Sequence, residues 1–244
     1  MKIGSLKMNS ADRLLKLKKL DKKTLTVMNK YKISIISDLD SWINNYIPQL
    51  VNRLEEKCHQ VYWIHQTNQI PEGDFAFYLG CGQIVPSEIL QKNKHNLVVH
   101  ESALPLGKGW SPLTWQILEG KNEIPITLFE ATKLVDSGVI YLQDTLHFNG
   151  LELVEELRET QAQKSIDMCL DFVHKYPDIL IRGRYQQGDS TFYRRRMPQD
   201  SQLDLDKTIR EQFNLLRVVD NECYPAFFEI DNEIYILKIE KKIC

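Results

Sequence analysis

A histidine and an aspartate are the first residues in this sequence whose types and spacing suggest chemistry. His100 closes the apolar segment NLVVH, and Asp136 lies 36 residues later in the turn LVDSG. A neutral imidazole accepts a proton near pH 7, and a neighbouring carboxylate fixes its tautomer. The pair therefore suggests general acid–base catalysis. Taken alone, however, two such residues are more often a polar strand end and an ordinary turn aspartate.

The segments that would position this pair are short apolar runs separated by helical patterns. Short, fully apolar strands that alternate with helices predict an α/β fold with a mostly parallel sheet flanked by helices. Ligands of such sheets bind beyond the carboxyl ends of the strands, so His100 and Asp136 are expected to face one crevice. The strand-like runs lie at 32–37, 60–65, 75–80 and 96–100, and the helical patterns at 85–93, 112–120 and 152–176.

The sequence divides into three parts by composition. Residues 1–31 form a basic N-terminal extension, because residues 1–32 hold 10 Lys and Arg against 2 Asp and Glu. A solvated helix is the expected form of this extension, and contact with an anionic surface is the alternative. Residues 32–180 form the predicted catalytic domain. Residues 181–244 form a small β-rich C-terminal subdomain with a hairpin that turns at Asp231-Asn232.

The composition limits the classes of partner. The chain of 244 residues carries a formal net charge of −2, which argues against nucleic acid as the main partner. Its five cysteines include no CxxC pair, so no metal site is expected. The sequence shows no signal peptide and no apolar run of about 18 residues. We therefore expect a cytoplasmic protein that does not bind membranes.

One extended pattern contains both residues of the pair. The segment HESALPLGKGWSPLTWQILEG, followed by PITLFEA and LVDSGVIYLQ, resembles the folate-dependent formyltransferases. The motif of that family is Asn-x-His, then Ser-x-Leu-Pro, a basic residue with Gly, a helix ending in Gly, then Thr and Leu-Asp-x-Gly. The resemblance covers about residues 32–150. The matching positions are His100, Ser102, Leu104, Pro105, Lys108, Gly109, Gly120, Thr127, Asp136, Ser137 and Gly138.

The resemblance implies a Rossmann-like formyltransferase fold, with N10-formyltetrahydrofolate as the co-substrate and no metal. His100 would act as general base and stabilise the oxyanion, and Asp136 would orient it. The residues implied for binding the formyl donor are Leu79, Gly80, Cys81, Gly82, Ala103, Leu104, Pro105, Gly109 and Val135. The residues implied for binding the acceptor are Ser102, Lys108, Trp110, Tyr193 and Arg195.

One position departs from the family pattern. The family's asparagine, two residues before the histidine, is replaced by Val98 in this chain. In the family that amide holds the formyl oxygen as it becomes an oxyanion, and loss of one such donor lowers the rate by about 10²–10³. Asn96 would share a strand face with Val98 and His100, so it is a candidate replacement donor. The alternatives are another donor, protonated His100 alone, or a slow or inactive protein.

The C-terminal part indicates the subfamily. The segment YRRR at 193–196, the pair Leu216-Arg217 and the turn YPAFF at 224–228 resemble the tail of the sugar N-formyltransferases. The resemblance therefore implies a small-molecule acceptor, an activated amino sugar that is nucleotide-linked or a nonulosonate precursor such as that of pseudaminic acid. By analogy with homologues, we also expect a homodimer formed through the C-terminal region.

Three other functions are alternatives. A formyltetrahydrofolate hydrolase would use the same histidine and aspartate with water as the nucleophile. A methionyl-tRNA formyltransferase is expected to continue into an RNA-binding domain. A non-catalytic homologue would bind folate or a sugar nucleotide without turnover, and the valine at position 98 keeps that alternative open.

Overall fold

The computed structural model describes residues 29–242, and its centre is a six-stranded mixed sheet with the order β2-β1-β3-β4-β6-β7. The first four strands along the chain run parallel, whereas β6 and β7 are antiparallel to their neighbours. The predicted mostly parallel sheet is therefore confirmed. The strands are β1 (Lys32–Ile36), β2 (Gln60–Ile64), β3 (Gly73–Tyr78), β4 (Asn93–His100), β5 (Lys108–Gly109), β6 (Glu123–Glu130), β7 (Ile140–His147), β8 (Phe192–Tyr193), β9 (Ala226–Ile230) and β10 (Glu233–Leu237).

Helices flank the sheet. The longest one is held at its start by Glu156, whose carboxylate accepts the backbone N–H of Leu153 at 2.9 Å. It ends just before Pro177, which has no N–H to continue the helical bonding. The helices are α1 (Ile47–Glu55), α2 (Ser87–Leu90), α3 (Pro112–Leu118), α4 (Val154–Lys175) and α5 (Phe213–Val218), with 3₁₀ turns at Trp42–Asn45, Thr67–Gln69, Asp178–Arg182 and Pro198–Ser201.

The alternation of side chains along β3 shows how the core is built. Phe75 and Phe77 point to the face that α1 and α4 cover, and the ring of Phe75 lies 5.6 Å from that of Phe172 in α4. Ala76 and Tyr78 point to the opposite face, which packs against the region of α2. Since both faces are covered, the carboxyl ends of the strands are the part of the sheet left open to a ligand.

The C-terminal residues add two small β structures. Strand β8 pairs in parallel with β5, and β9 pairs with β10 in an antiparallel hairpin. Asp231 and Asn232 turn this hairpin with φ angles of 52° and 67°, as a tight two-residue turn requires. The predicted hairpin is confirmed. The boundary predicted near residue 180 falls between α4 and these strands, and it stays a prediction.

Two expectations concern the basic N-terminal extension and the membrane. The predicted basic extension lies outside the described residues, apart from residues 29–31. Among the described helices, none combines the length and the apolarity needed to cross a bilayer.

Candidate functional site

A cavity of about 520 Å³ opens at the carboxyl ends of the parallel strands. Its wall includes Asp38 after β1, residues 79–83 after β3, and His100 with Glu101 at the end of β4. The loop 131–136 closes it on the side of the antiparallel strands. We call this space the first cavity. It lies where ligands of open α/β sheets bind, as the sequence predicted for His100 and Asp136.

His100 is buried in the wall of the first cavity with one ring nitrogen fixed. Its Nε2 lies 2.8 Å from the backbone oxygen of Gly107. A carbonyl oxygen only accepts hydrogen bonds, so this nitrogen carries a proton. In the neutral ring Nδ1 is therefore unprotonated, and it makes no hydrogen bond to any residue that the structure describes. The geometry leaves one basic nitrogen available to a ligand.

Asp136 lies beside the protonated nitrogen of His100. Its Oδ2 is 3.8 Å from Nε2, which is too far for a hydrogen bond but close enough for attraction to an imidazolium. The same oxygen accepts the backbone N–H of Gly109 at 2.9 Å. The structure thus brings together the two residues that the sequence singled out. The carboxylate lies near the protonated Nε2, whereas the unprotonated Nδ1 is the nitrogen available to a ligand.

Close backbone packing fixes the turn that carries Asp136. A Cβ atom on Gly138 would lie 1.7 Å from the backbone oxygen of Glu130, so a larger residue there would push the turn outwards. The side-chain amide of Gln186 donates to the backbone oxygens of Asp136 and Gly138, both at 3.0 Å. Asp136 itself has a φ of 47°, in the left-handed region. These contacts hold the carboxylate in one place.

The loop after His100 is fixed from the C-terminal side. Gly109 has a φ of 96°, and a Cβ there would lie 2.4 Å from the backbone oxygen of Tyr193 in β8. Thr191 accepts the N–H of Gly107 on its hydroxyl at 2.8 Å and the N–H of Lys108 on its carbonyl at 2.9 Å. Residues 191–193, which lead into the segment predicted to indicate the subfamily, therefore support the loop that holds His100.

The residues predicted to bind ligands fall into two groups. Those that line the first cavity, besides His100 and Asp136, are Leu79, Gly80, Cys81, Gly82, Gly109, Trp110 and Val135. Those outside its lining are Asn96, Ser102, Ala103, Leu104, Pro105, Lys108, Tyr193 and Arg195.

Three residues in the second group are buried in the loop that follows His100. Leu104 is buried against Phe129 and Ile140. Lys108 is buried and donates to the hydroxyl of Ser137 at 3.1 Å. Ser102 is buried too, and its hydroxyl has no hydrogen-bond partner among the described residues. These contacts support the loop that follows His100.

Asn96 lies away from the first cavity. Its amide nitrogen donates to the backbone oxygen of Leu90 at 2.8 Å, and its amide oxygen accepts the hydroxyl of Tyr78 at 3.2 Å. Val98, on the same strand face, lines the cavity with methyl groups. At position 98 the strand therefore offers no hydrogen-bond donor to a ligand, and the amide of Asn96 is engaged elsewhere.

Glu101 is a polar residue of the cavity wall that sequence reasoning missed. Burial raises the pKa of its carboxyl, although nearby His100 and the side-chain amide of Gln161 act in the opposite direction. Its own backbone oxygen accepts the amide of Gln116 at 2.6 Å. In the sequence, the only signal was its position next to His100. A strand pattern would have placed the two side chains on opposite faces, so it did not predict that both line one cavity.

A smaller space of about 300 Å³, the second cavity, adjoins the first. Trp42, Trp110, Ser111 and Gln161 line both. Its other walls include Arg158, Arg195 and Arg196.

The three arginines of the second cavity differ in their partners. Arg158 is paired with Asp220 at 2.7 Å. Arg195 lies over the ring of Trp110, with 5.0 Å between guanidinium and ring centre, and Arg196 donates to the backbone oxygen of Val218 at 3.2 Å. Neither Arg195 nor Arg196 forms an ion pair with a described carboxylate. The second cavity therefore holds positive charge that is not neutralised.

Among the described residues, no group of three or more His, Cys, Asp or Glu side chains is arranged to hold a metal ion.

Similarity to known proteins agrees with this geometry. A family model described as formyl transferase matches residues 45–170, just over half of the chain. The chain is also similar to a methionyl-tRNA formyltransferase of Thermodesulfovibrio yellowstonii, with 27% identity over 169 residues that make up 68% of this chain and 54% of that protein. It thus spans about half the length of the curated relatives it matches.

Two solved structures show the same fold. A methionyl-tRNA formyltransferase from Clostridium thermocellum superposes with a TM-score of 0.70 at 21% identity, covering 87% of this chain and 94% of that one. A sugar N-formyltransferase from Shewanella sp FDAARGOS_354 superposes with a TM-score of 0.62 at 15% identity, covering 87% of this chain and 99% of that one. At such identities the likeness concerns the fold.

Proposed function

Since this chain belongs to the formyl transferase family, we propose that it transfers the formyl group of N10-formyltetrahydrofolate to the amine of an activated amino sugar. The observation that carries the proposal is the pairing of His100 with Asp136 on the wall of the first cavity, at 3.8 Å. A finer version places the reaction in the synthesis of a surface glycan, with a nonulosonate precursor such as that of pseudaminic acid as acceptor.

The first cavity fits the formyl donor in size and in chemistry. Its volume of about 520 Å³ lies within the range of small-molecule sites. Apolar side chains such as Val85, Leu90 and Phe129 can pack against a ring, while the segment 79–83 offers backbone polar groups. A Cβ on Gly82 would lie 3.1 Å from the ring of Trp110, so the glycine keeps the passage beside that ring open.

His100 would remove the proton from the attacking amine. Its Nδ1 is the unprotonated nitrogen, because Nε2 donates to Gly107 at 2.8 Å. Once Nδ1 takes a proton, the positive ring faces the Asp136 carboxylate. Val98 provides no donor to the formyl oxygen, so in this proposal the protonated ring of His100 stabilises the negative charge that develops there. Much of the remaining acceleration comes from holding two substrates together.

The second cavity supports an acceptor that carries a phosphate or another anionic group. The guanidinium groups of Arg195 and Arg196 have no carboxylate partner among the described residues, and Arg is well suited to phosphate oxygens. Because both cavities share Trp110 and Gln161, an acceptor bound in the second could place its amine in the first. An activated sugar with a diphosphate has this combination of groups.

Methionyl-tRNA is a second candidate acceptor. It is favoured by the similarity to methionyl-tRNA formyltransferases, and a tRNA end also carries phosphates that Arg195 and Arg196 could contact. The two candidates differ in size and in the product they yield.

The deciding experiment incubates the protein with N10-formyltetrahydrofolate and a panel of acceptors. The panel contains UDP- and dTDP-linked amino sugars, a nonulosonate precursor and methionyl-tRNA, and mass spectrometry identifies the product. A formylated sugar that is absent with His100→Ala and Asp136→Ala would support the proposal. Formylated methionyl-tRNA alone would assign the second candidate, and formate release without any acceptor would indicate a hydrolase. Donor binding without turnover on any acceptor would indicate a binding protein.

A further inference from the structure

Glu101 is a second titratable side chain in the first cavity, and the function proposed above gives it no role. The residue is 9% exposed and lines the cavity next to His100. The chain turns here, because the N–H of Ser102 donates to the backbone oxygen of His100 at 2.9 Å. Val99, His100 and Glu101 all line the first cavity, so side chains from both faces of the strand end reach the same space.

The backbone of Glu101 is anchored independently of its carboxyl. Gln116 in α3 donates to the backbone oxygens of Glu101 at 2.6 Å and of Pro112 at 3.1 Å. The carboxyl accepts the backbone N–H of its own residue and takes no part in the contacts with Gln116. A change confined to the carboxyl therefore leaves the loop in place, which makes its role separable from folding.

The surroundings of the carboxyl lack a permanent positive charge. The groups that face it are His100, the Asp136 carboxylate, the amide of Gln161 from α4 and the backbone N–H of Glu101 itself. Burial raises its pKa, and Asp136 adds to that rise against His100 and Gln161. No described Lys or Arg forms an ion pair with Glu101. A buried carboxyl without a cationic partner is costly to ionise, unless a ligand brings the cation.

We propose that Glu101 binds the amino group of the acceptor where the two cavities meet. Gln161, which faces Glu101, lines both cavities, so the carboxyl lies on the path from the arginines of the second cavity to His100. This assignment rests on the proposed formyl transfer. It makes an amine-bearing acceptor, rather than water, the expected nucleophile.

The chemistry needs two proton acceptors. An amino sugar arrives as an ammonium ion and loses two protons in becoming a formamide. As it enters, the proton of Glu101 passes to solvent, and the carboxylate then takes the first proton of the ammonium. The neutral nitrogen forms its bond to the formyl carbon while the bond between that carbon and N10 breaks. His100 takes the second proton and returns it to N10.

The first test follows the carboxyl directly and needs no turnover. Protein labelled with ¹³C at the glutamate carboxyl carbon is titrated with glucosamine, and with N-acetylglucosamine as the control that lacks the amine. Loss of one signal in Glu101→Gln assigns Glu101. The expected result is a shift of that signal with glucosamine and none with N-acetylglucosamine. A Glu101 carboxyl signal that does not shift with glucosamine, or that shifts equally with both sugars, would overturn the proposal.

The second test uses the acceptor found by the deciding experiment. Glu101→Gln keeps the shape but cannot titrate, so kcat/KM for the acceptor should fall at least tenfold and lose one ionisation from its pH profile. KM for the formyl donor should not change. Glu101→Asp should recover part of the loss, and exposed Glu123→Gln serves as control. An unchanged pH profile in Glu101→Gln would overturn the assignment. If no acceptor is formylated, the formyl-transfer proposal fails, and the titration still decides the role of Glu101.

Discussion

The two cavities place their charged groups in different ways. In the first, His100 and Asp136 each make a hydrogen bond to a backbone group of the same loop, at 2.8 Å to Gly107 and 2.9 Å to Gly109. In the second, Arg195 contacts an aromatic ring and no described carboxylate. Groups fixed by backbone suit chemistry that tolerates little displacement, whereas long side chains can adjust to a ligand. We therefore expect substitutions near the first cavity to have sharp effects and those in the second to have graded ones.

The largest effect should come from His100→Ala. Removing the general base should lower kcat by about 10²–10⁴, with the free energy of unfolding changed much less. Initial rates of tetrahydrofolate release measure it. His147→Ala, on an exposed histidine of β7, should keep the wild-type rate. A rate within threefold of wild type in His100→Ala would remove the chemical role from the first cavity.

The second-largest effect should come from Gly138→Ala, which tests whether backbone packing holds the Asp136 carboxylate in its position. Gly138→Ala places a Cβ against the backbone oxygen of Glu130, so the turn must shift and carry Asp136 with it. A displacement of about 1 Å should lower kcat roughly 10²-fold. Gly188→Ala is the control, because Gly188 has a φ of 95° and no atom within 4 Å of the added Cβ, so it adds backbone strain without a clash. Equal losses of kcat in both variants would assign the effect to backbone strain at a glycine and not to displacement of Asp136.

Val98→Asn tests the missing donor of the first cavity. An amide at this position would reach the space that the methyl groups now line, and one oxyanion donor is worth about 10²–10³ in rate. We expect kcat to rise by on the order of 10². Val61→Asn, on β2, is the control outside that lining. A gain below tenfold would show that another donor already serves the formyl oxygen.

Arg195→Ala tests the graded behaviour of the second cavity. Loss of a charge-assisted contact should raise KM for an anionic acceptor about tenfold, with kcat and donor binding nearly unchanged. Arg194→Ala is the matched control, because Arg194 is bound to Asp200 in an ion pair of 2.5 Å. Steady-state kinetics with acceptor varied give the answer. A fall in kcat instead would place Arg195 in the chemistry and erase the contrast between the cavities.

The smallest effect concerns stability near the second cavity. The hydrogen bond from Arg194 lowers the pKa of Asp200 to about 2, so its contribution is complete above the ordinary carboxyl pKa and is lost as the pH falls towards 2. Because Arg194 is 61% exposed, Asp200→Asn should lower the free energy of unfolding by only about 1 kcal/mol at pH 7. Urea unfolding between pH 7 and pH 3 should show this difference shrinking. A constant difference would exclude the ion pair as its cause.

The sequence was sufficient for the sheet because its strands are buried on both faces. In KISII of β1, three of the five residues are isoleucine and all but Lys32 are buried, and that pattern leaves little choice of structure. The proximity of His100 and Asp136 also followed from the rule for strand ends and from the family motif. These features depend on local pattern and on topology.

The rest of the site depends on contacts that a pattern does not contain. Asn96 shares a strand face with Val98, yet its amide is bound to Tyr78 and Leu90 and does not line the cavity. Glu101 lines the cavity together with Val99 and His100, because the cavity extends over both faces of the strand end, which strand periodicity does not show. Whether a polar side chain is free or engaged is decided by such tertiary contacts.

The pairing of β5 with β8 has a consequence for attempts to change what the protein accepts. Exchanging the segment after residue 180 for that of a relative would look like a replacement of the recognition part alone. Thr191 and Tyr193, however, bind the backbone of Gly107, Lys108 and Trp110. A chimaera joined at that boundary would also reset the loop that holds His100. A hybrid that keeps residues 191–193 native should preserve its catalytic loop, and one that replaces them should need compensating changes at 107–110.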